Sequence, residues 1–169
     1  MAIVIRDCAE PDLDAVQAIY AVEVLEGTAS FEIDPPDLDE IRSRYKVICD
    51  QGLPFLVALE GDKVAGYCYA SAYRSRPAYR FTLENSVYVA SWARQRGVGL
   101  MLLNELMERV EDGPWQQMIA IIGGSTHAAS IRLHEQAGFQ HVGVLKSVGF
   151  KFGGWVDSVI MQRDIGQLD

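Results

Sequence analysis

Two apolar runs, PFLVALE (54–60) and KVAGYCYASAY (63–73), are separated only by Gly61 and Asp62. A connection that short joins strands as an antiparallel hairpin, because a parallel return needs a crossover of roughly a dozen residues or more. The sheet therefore holds sequential antiparallel neighbours in mid-chain. Around the hairpin the hydrophobic period alternates between that of strands and that of helices. AIVIR is a strand, and PDLDAVQAIYAVEVL is a helix with Pro11 near its first turn and Leu13, Val16, Ile19 and Tyr20 on one face. The polar-aromatic loop EGTASFEIDPP leads to a second helix over about Leu38 to Cys49. Beyond the hairpin come a strand in FTLENSVYVA, a helix, a strand in QQMIAIIG, a short helix in AASIRLHEQAG closed by Gly138, and a last strand pair in FQHVGVLKSVGFKFGGWVDSVIMQRD. The order β-α-α-β-β-β-α-β-α-β-β is α/β in the broad sense (α+β), with no internal repeat and no linker. At 169 residues the chain has the length of one domain, 1–169, that buries roughly two thirds of its unfolded surface.

The helix after the third central strand begins in RQRGVGLMLLNELMERV (94–110). Val98, Met101, Leu102, Leu106 and Val110 form an apolar stripe, and Glu105, Glu108, Arg109 and Glu111 take the other face. Its first turn has unpaired N–H groups at the positive end of the helix dipole, and Gly97 and Gly99 bring no side chain to block an anion. Two readings fit: a phosphate seat, or a glycine-rich turn ahead of an ordinary helix. A P-loop is a poorer match, since its lysine and hydroxyl are missing after Gly99, and a dinucleotide fingerprint would want a small residue where Leu102 stands.

Charge narrows the partners. With 15 Lys+Arg against 23 Asp+Glu the net charge is −8, which repels nucleic acid and anionic membrane surfaces. Cys8, Cys49 and Cys68 are odd in number, lack C-x-x-C spacing and sit beside apolar residues, as reduced thiols do. No run approaches the length of a membrane span, and MAIVIRD opens directly on a strand pattern. A cytoplasmic protein is the expectation.

Two segments carry candidate chemistry. In FTLENSVYVA, period 2 sends Phe81, Leu83, Val87 and Val89 to one face and Thr82, Glu84, Ser86 and Tyr88 to the other. Glu84 is then either a structurally paired acid or a base. In SIRLHEQAGF, Ser130 and His134 share a helix face at i and i+4, with Phe139 just past the Gly138 cap. His134 is a structural histidine or a proton-transfer group.

The order of strand, R-x-x-G-x-G turn, helix, strand, short helix and GF resembles the GCN5-related N-acetyltransferase (GNAT) superfamily, with Arg94, Gly97 and Gly99 on the motif positions. Within it the chain is similar to the phosphinothricin and methionine sulfoximine N-acetyltransferases. IYAVEVLEGTASFE, YRSRPAYRFTLENSVYV, RQRGVG, SIRLHEQAGF and GFKFGGWVDSVIMQRD follow that family's blocks in order. It departs from the pattern where His127 replaces the usual Asn before AAS and Tyr73 the usual Trp before the arginine loop.

The resemblance implies the GNAT acyl-CoA N-acyltransferase fold: a mixed, mostly antiparallel sheet of about seven strands flanked by about four helices. It implies acetyl-CoA as cofactor, held by Arg94, Gln95, Arg96, Gly97, Val98, Gly99 and Leu100, by backbone groups of Val87, Tyr88 and Val89, and by His127 and Ser130. Glu84 is the expected base and His134 the second candidate for base or acid, in direct transfer without an acyl-enzyme. Three guanidinium groups in YRSRPAYR, on Arg74, Arg76 and Arg80 around Ser75, suit a carboxylate or phosphinate. Phe31, Phe152 and Trp155 would wall a small amino-acid pocket, partly across a homodimer interface. The rival readings are acetylation of another amine, such as a polyamine or a protein N-terminus, and a non-catalytic acyl-CoA-binding module.

Overall fold

The hairpin forms as its two-residue turn requires. Lys63 pairs with Glu60 across Gly61 and Asp62, and the register runs to Phe55↔Tyr69 with one irregularity at Ala58/Leu59. In the computed structural model, which describes residues 2–166, the hairpin strands are β2 (Phe55–Glu60) and β3 (Lys63–Ala72). They are the second and third strands of a sheet ordered β1-β2-β3-β4-β5-β7-β6, built from β1 (Ile3–Asp7), β4 (Thr82–Val89), β5 (Gln117–Gly123), β6 (Gln140–Lys151) and β7 (Gly154–Asp164). All neighbours are antiparallel except β4 and β5, which α3 (Val98–Glu111) connects as a parallel crossover. The expected seven strands and four helices are all present, the other helices being α1 (Leu13–Glu26), α2 (Leu38–Asp50) and α4 (Ala128–Gln136).

The helices divide between the two faces of the sheet. On one, α1 and α2 cover an aromatic layer: Phe55 stacks on Tyr69 and Tyr67 at 5.0 and 5.8 Å, Tyr67 meets Tyr88 at 5.3 Å, and Tyr20 of α1 stands edge-on to Tyr88 at 5.1 Å. On the other lies α3, with Cys68 Sγ 3.4 Å from the Leu102 carbonyl. Buried on both sides, β2 and β3 read as nearly continuous apolar runs.

Local signals set the helix ends. The Asp37 carboxylate accepts the Glu40 N–H at 2.9 Å and starts α2. Pro11 falls in a 3-10 turn just before α1, where the Asp12 carboxylate takes the Ala9 N–H at 2.8 Å and both Arg6 nitrogens at 2.7 and 2.9 Å. The apolar face of α3 is displaced from the expected stripe: Met101 is exposed, while Leu103 and Met107 are buried beside Leu102, Leu106 and Val110. A helix lying flat on a sheet buries a broader arc than a narrow stripe. Cys8, Cys49 and Cys68 are free thiols, and burial pushes that of Cys8 up to about 12.

Gly123, at the end of β5, marks a close approach. A Cβ there would collide with the backbone carbonyl of Thr28, whose hydroxyl donates to the Gly123 carbonyl at 3.0 Å. Gly123→Ala should therefore lower the unfolding free energy by about 1–3 kcal/mol. Gly143→Ala, at a position with nothing within 4 Å of a new Cβ, serves as the control. Equal urea midpoints for the two variants would show that the loop yields freely.

Candidate active site

The parallel ladder between β4 and β5 has three pairs, Thr82↔Gln117, Leu83↔Met118 and Glu84↔Ile119. Past Glu84 the strands part. β5 stays bonded to β7 as far as Gly123, and β4 stays bonded to β3 as far as Val89. Among the described residues no strand pairs with the inner edge of β4 from Asn85 to Val89. A cleft of about 290 Å³ fills the gap, with Val87 and Tyr88 on the β4 side and His127, Ser130 and His134 on the α4 side. An extended, amide-bearing ligand can complete such an edge as a strand would.

At the far end of β4 the chain turns into α3. Gln95 and Gly97 have φ of 60° and 79°, left-handed conformations that lift the backbone into the helix start. Gly97 is the N-cap and no side chain caps the turn. Met101 N–H is the first to reach back, to the Gly97 carbonyl at 3.0 Å, which leaves the N–H groups of Val98, Gly99 and Leu100 for an outside acceptor. The two glycines do different work. A Cβ on Gly97 would meet nothing within 4 Å, so that side is open to an anion, whereas a Cβ on Gly99 would come within 2.5 Å of Leu133 Cδ1. Gly99 thus lets α3 and α4 approach. The arginines are anchored, Arg94 to Glu23 and to the Val89 carbonyl, and Arg96 to Glu60 through two bonds of 2.6 and 3.1 Å.

Glu84 and His134 reach the cleft from opposite faces of β4. Glu84 belongs with Ser86 and Tyr88 on the α1 side. It is half-buried and, among the described residues, has no ion pair or side-chain hydrogen bond. Burial raises its pKa and the charge of Arg74 opposes that rise. His134 lies on the α4 side, 4% exposed and edge-on to Phe139 at 5.1 Å. Its Nδ1 is 2.8 Å from the Ser130 carbonyl and its Nε2 3.0 Å from Asn85 Oδ1. Burial lowers its pKa and the Ser130 carbonyl pulls the other way. His127 caps α4, its Nδ1 accepting the Ser130 N–H at 3.3 Å. Asn85 escaped the sequence reading, although it is the polar residue on the otherwise apolar face of FTLENSVYVA.

A cleft beside an open strand edge, a turn of free N–H groups and a half-buried carboxylate are features that would suit transfer from an acyl thioester. The profile of the acetyltransferase (GNAT) domain matches residues 5–160. The chain belongs to the GNAT acetyltransferase family. It is 53% identical, over 99% of its length and 85% of the relative's, to a phosphinothricin N-acetyltransferase of Alcaligenes faecalis. It is 37% identical to an L-methionine sulfoximine/L-methionine sulfone acetyltransferase of Pseudomonas paraeruginosa, over 98% and 96% of the two chains. A crystal structure of a GNAT phosphinothricin acetyltransferase from Sinorhizobium meliloti in complex with AcCoA superposes with a TM-score of 0.94 at 43% identity, covering 98% of this chain and 90% of that one.

Of the expected substrate residues, one chain of this GNAT enzyme brings only Phe31 into the cleft. Arg74, Ser75, Arg76 and Arg80 lie in the loop that leads into the Glu84 end of β4, with Arg74 5.1 Å over the Tyr73 ring and Arg80 4.4 Å over Phe81. Phe152 and Trp155, at the β6–β7 turn, are 62% and 70% exposed. The loop that carries Phe31 is firmly held. Phe31 lies against Gly149, where a Cβ would come within 2.6 Å of its ring, and Lys151 Nζ donates to the Ser30 carbonyl at 2.7 Å. The Ser30 hydroxyl meets Tyr20 at 2.8 Å, Tyr20 donates to Glu32, and Arg44 grips Glu32 with bonds of 2.7 and 3.0 Å.

That Arg44 contact holds the Glu32 pKa below the usual carboxylate range. A depressed pKa contributes stability that is present above the unfolded value and is lost as pH falls through the folded one. Glu32→Gln should therefore unfold at lower urea than the parent at pH 7, and the gap should close as the pH drops below about 5. A gap that stays constant with pH would assign it to packing.

Proposed function

We propose that the chain is a single N-acetyltransferase domain that transfers the acetyl group of acetyl-CoA to the amino group of a small amino acid, methionine sulfoximine, methionine sulfone or phosphinothricin being the models. The names of the relatives support that substrate class. The observation that carries the reaction is Glu84: a half-buried carboxylate at the splay point, with no ion pair or side-chain hydrogen bond among the described residues and a pKa raised by burial. An ammonium group cannot attack a thioester, so a base must first take its proton. Glu84 does so from the α1 side. His134, on the α4 side, supplies a proton to the departing thiolate.

The residues present fit the cofactor. The open backbone at Gly97 with the free N–H groups of Val98, Gly99 and Leu100 suits a pyrophosphate, with Arg94, Gln95 and Arg96 shaping that loop. The inner edge of β4 at Val87, Tyr88 and Val89 suits the pantetheine amides, beside His127 and Ser130. When bound, the thioester supplies the activated acetyl group. Direct transfer is favoured over an acyl-enzyme because burial raises the Cys8 and Cys68 pKa values, away from the thiolate, and none of the three thiols lines the cleft.

We further propose a cytoplasmic homodimer. Val142, Leu145, Val148, Phe150, Phe152 and Trp155 leave an apolar strip exposed on the β6–β7 hairpin. A second copy covering it would bring Phe152 and Trp155 out of water, and the unpaired thiols fit a reducing compartment. Among the described residues no helix is long and apolar enough to cross a membrane.

The base is tested by Glu84→Gln, which keeps the shape and removes the proton acceptor. The value of kcat/KM for methionine sulfone should fall roughly 100-fold near neutral pH. In the parent, the rate should climb as pH rises through the Glu84 pKa, which burial has moved upward. A variant with parental rate and pH profile would place the base elsewhere, with His134 next.

The arginine loop is tested by comparing methionine sulfone with its decarboxylated amine, following coenzyme A release. Arg74→Ala, Arg76→Ala and Arg80→Ala should raise KM for the amino acid and change it little for the amine, which offers no carboxylate to a guanidinium fork. Equal effects on both substrates would favour acetylation of some other amine.

A further inference from the structure

Asn85 is the first residue of β4 beyond the last β4–β5 pair, Glu84↔Ile119. Its side chain is 6% exposed and makes two contacts. Nδ2 donates to the Ile119 carbonyl at 3.3 Å, across the gap that the backbone no longer bridges, and Oδ1 lies 3.0 Å from His134 Nε2. The first contact orients the second: with its nitrogen committed to a carbonyl, the amide presents its oxygen to the imidazole. On the other side of the ring, Nδ1 faces the Ser130 carbonyl at 2.8 Å. Both neighbours are oxygens with no proton to give. A neutral imidazole has one N–H, so in this cradle one ring nitrogen must turn its lone pair on an oxygen. Only the imidazolium donates to both.

We propose that Asn85 is a positioning residue for acetyl transfer: its amide oxygen, aimed by Ile119, favours the doubly protonated His134, the form able to give a proton to the departing thiolate. The consequence for catalysis rests on the role proposed for His134 above.

Burial works against charge on this ring, and the Ser130 carbonyl works for it. Asn85 adds a second oxygen on the favourable side. No carboxylate shares the cradle. The ionisable residues on the surrounding elements are Glu84 and Tyr88 on β4, Arg132 and Glu135 on α4 with His127 at its head, Glu105, Glu108, Arg109 and Glu111 on α3, His141, Lys146 and Lys151 on β6, and Asp157, Arg163 and Asp164 on β7. Arg163 of β7 donates to the Ala137 carbonyl at 2.7 Å, and β5 has no ionisable residue. The hydrogen-bond partners of the imidazole itself are the two neutral oxygens.

The test is a histidine NMR titration of the full chain, with His134→Gln identifying the resonance, in the parent, Asn85→Leu and Asn85→Asp. Leucine removes the oxygen at similar volume, so the His134 titration should move to lower pH. Aspartate keeps an oxygen within reach and adds negative charge, so it should move to higher pH. Near neutral pH, Asn85→Leu should lose roughly 10-fold in kcat with KM for acetyl-CoA retained, and Asn85→Asp should recover part of the loss. Because an acid must be protonated to act, the rate is lost as pH rises through the imidazole pKa, and that limb should move with the NMR titration in each variant. An imidazole titrating at one pH in the parent and both variants overturns the proposal. If Asn85→Leu does not fold, the parent and Asn85→Asp decide alone. A titration that moves while the rate profile stays put keeps the hold of Asn85 on the imidazolium and removes His134 from the chemistry.

Discussion

The parallel pairing of β4 with β5 stops after Glu84↔Ile119, and the two strands cannot simply zip further. Each is committed on its outer side, β4 by seven pairs to β3 and β5 by seven pairs to β7. Closing the gap would mean bending one of these ladders, with a ladder hydrogen bond at risk for each residue moved. The Asn85 side chain spans the mouth of the gap in place of a backbone bond. What remains is an open strand edge inside the sheet, a feature proteins usually blunt or cover, kept here because it sits between two faces and not at the rim.

Glycines position the walls of the gap. Gly99 lets Leu133 of α4 settle against α3, which brings His134 and Ser130 to the cleft. Gly123 and Gly149 do the same on the opposite side for the loop carrying Thr28 and Phe31. At all three positions the missing Cβ makes room for a neighbour, whereas at Gly97 the space stays open and the left-handed φ of 79° is the reason for glycine. One residue type thus serves both to pack the wall and to leave the seat bare.

Much of this was legible in the chain. Every strand and helix follows from local period, caps and turn residues, because those signals act within a few residues: Gly61–Asp62 for the hairpin, Asp37 for α2, Gly138 after α4. The β4 alternation correctly separated Glu84 from Leu83. It could not show that Asn85, on the supposedly apolar face, would meet His134, since that contact joins residues 49 apart in sequence. Nor could it divide the labour of Gly97 and Gly99, which depends on where Leu133 arrives from a later helix. The exposure of Met101 and burial of Leu103 depend likewise on how flatly α3 lies on the sheet.

Burial acts on Glu84 and His134 through one physical effect with opposite numerical signs. It disfavours charge, raising the carboxyl pKa and lowering the imidazole pKa. Alone it pushes both groups toward the neutral form, in which the carboxyl cannot accept a proton and the imidazole has none to spare. Each face of β4 provides a partial remedy of its own. On the Glu84 side it is the distant charge of Arg74, which favours the carboxylate without occupying its oxygens. On the His134 side it is the Ser130 and Asn85 oxygens, which favour the imidazolium without a countercharge that would trap the proton. With the strand between them, the two groups are balanced separately, so in the proposed reaction a proton would be taken on one side of β4 and released on the other without neutralising the pair against itself.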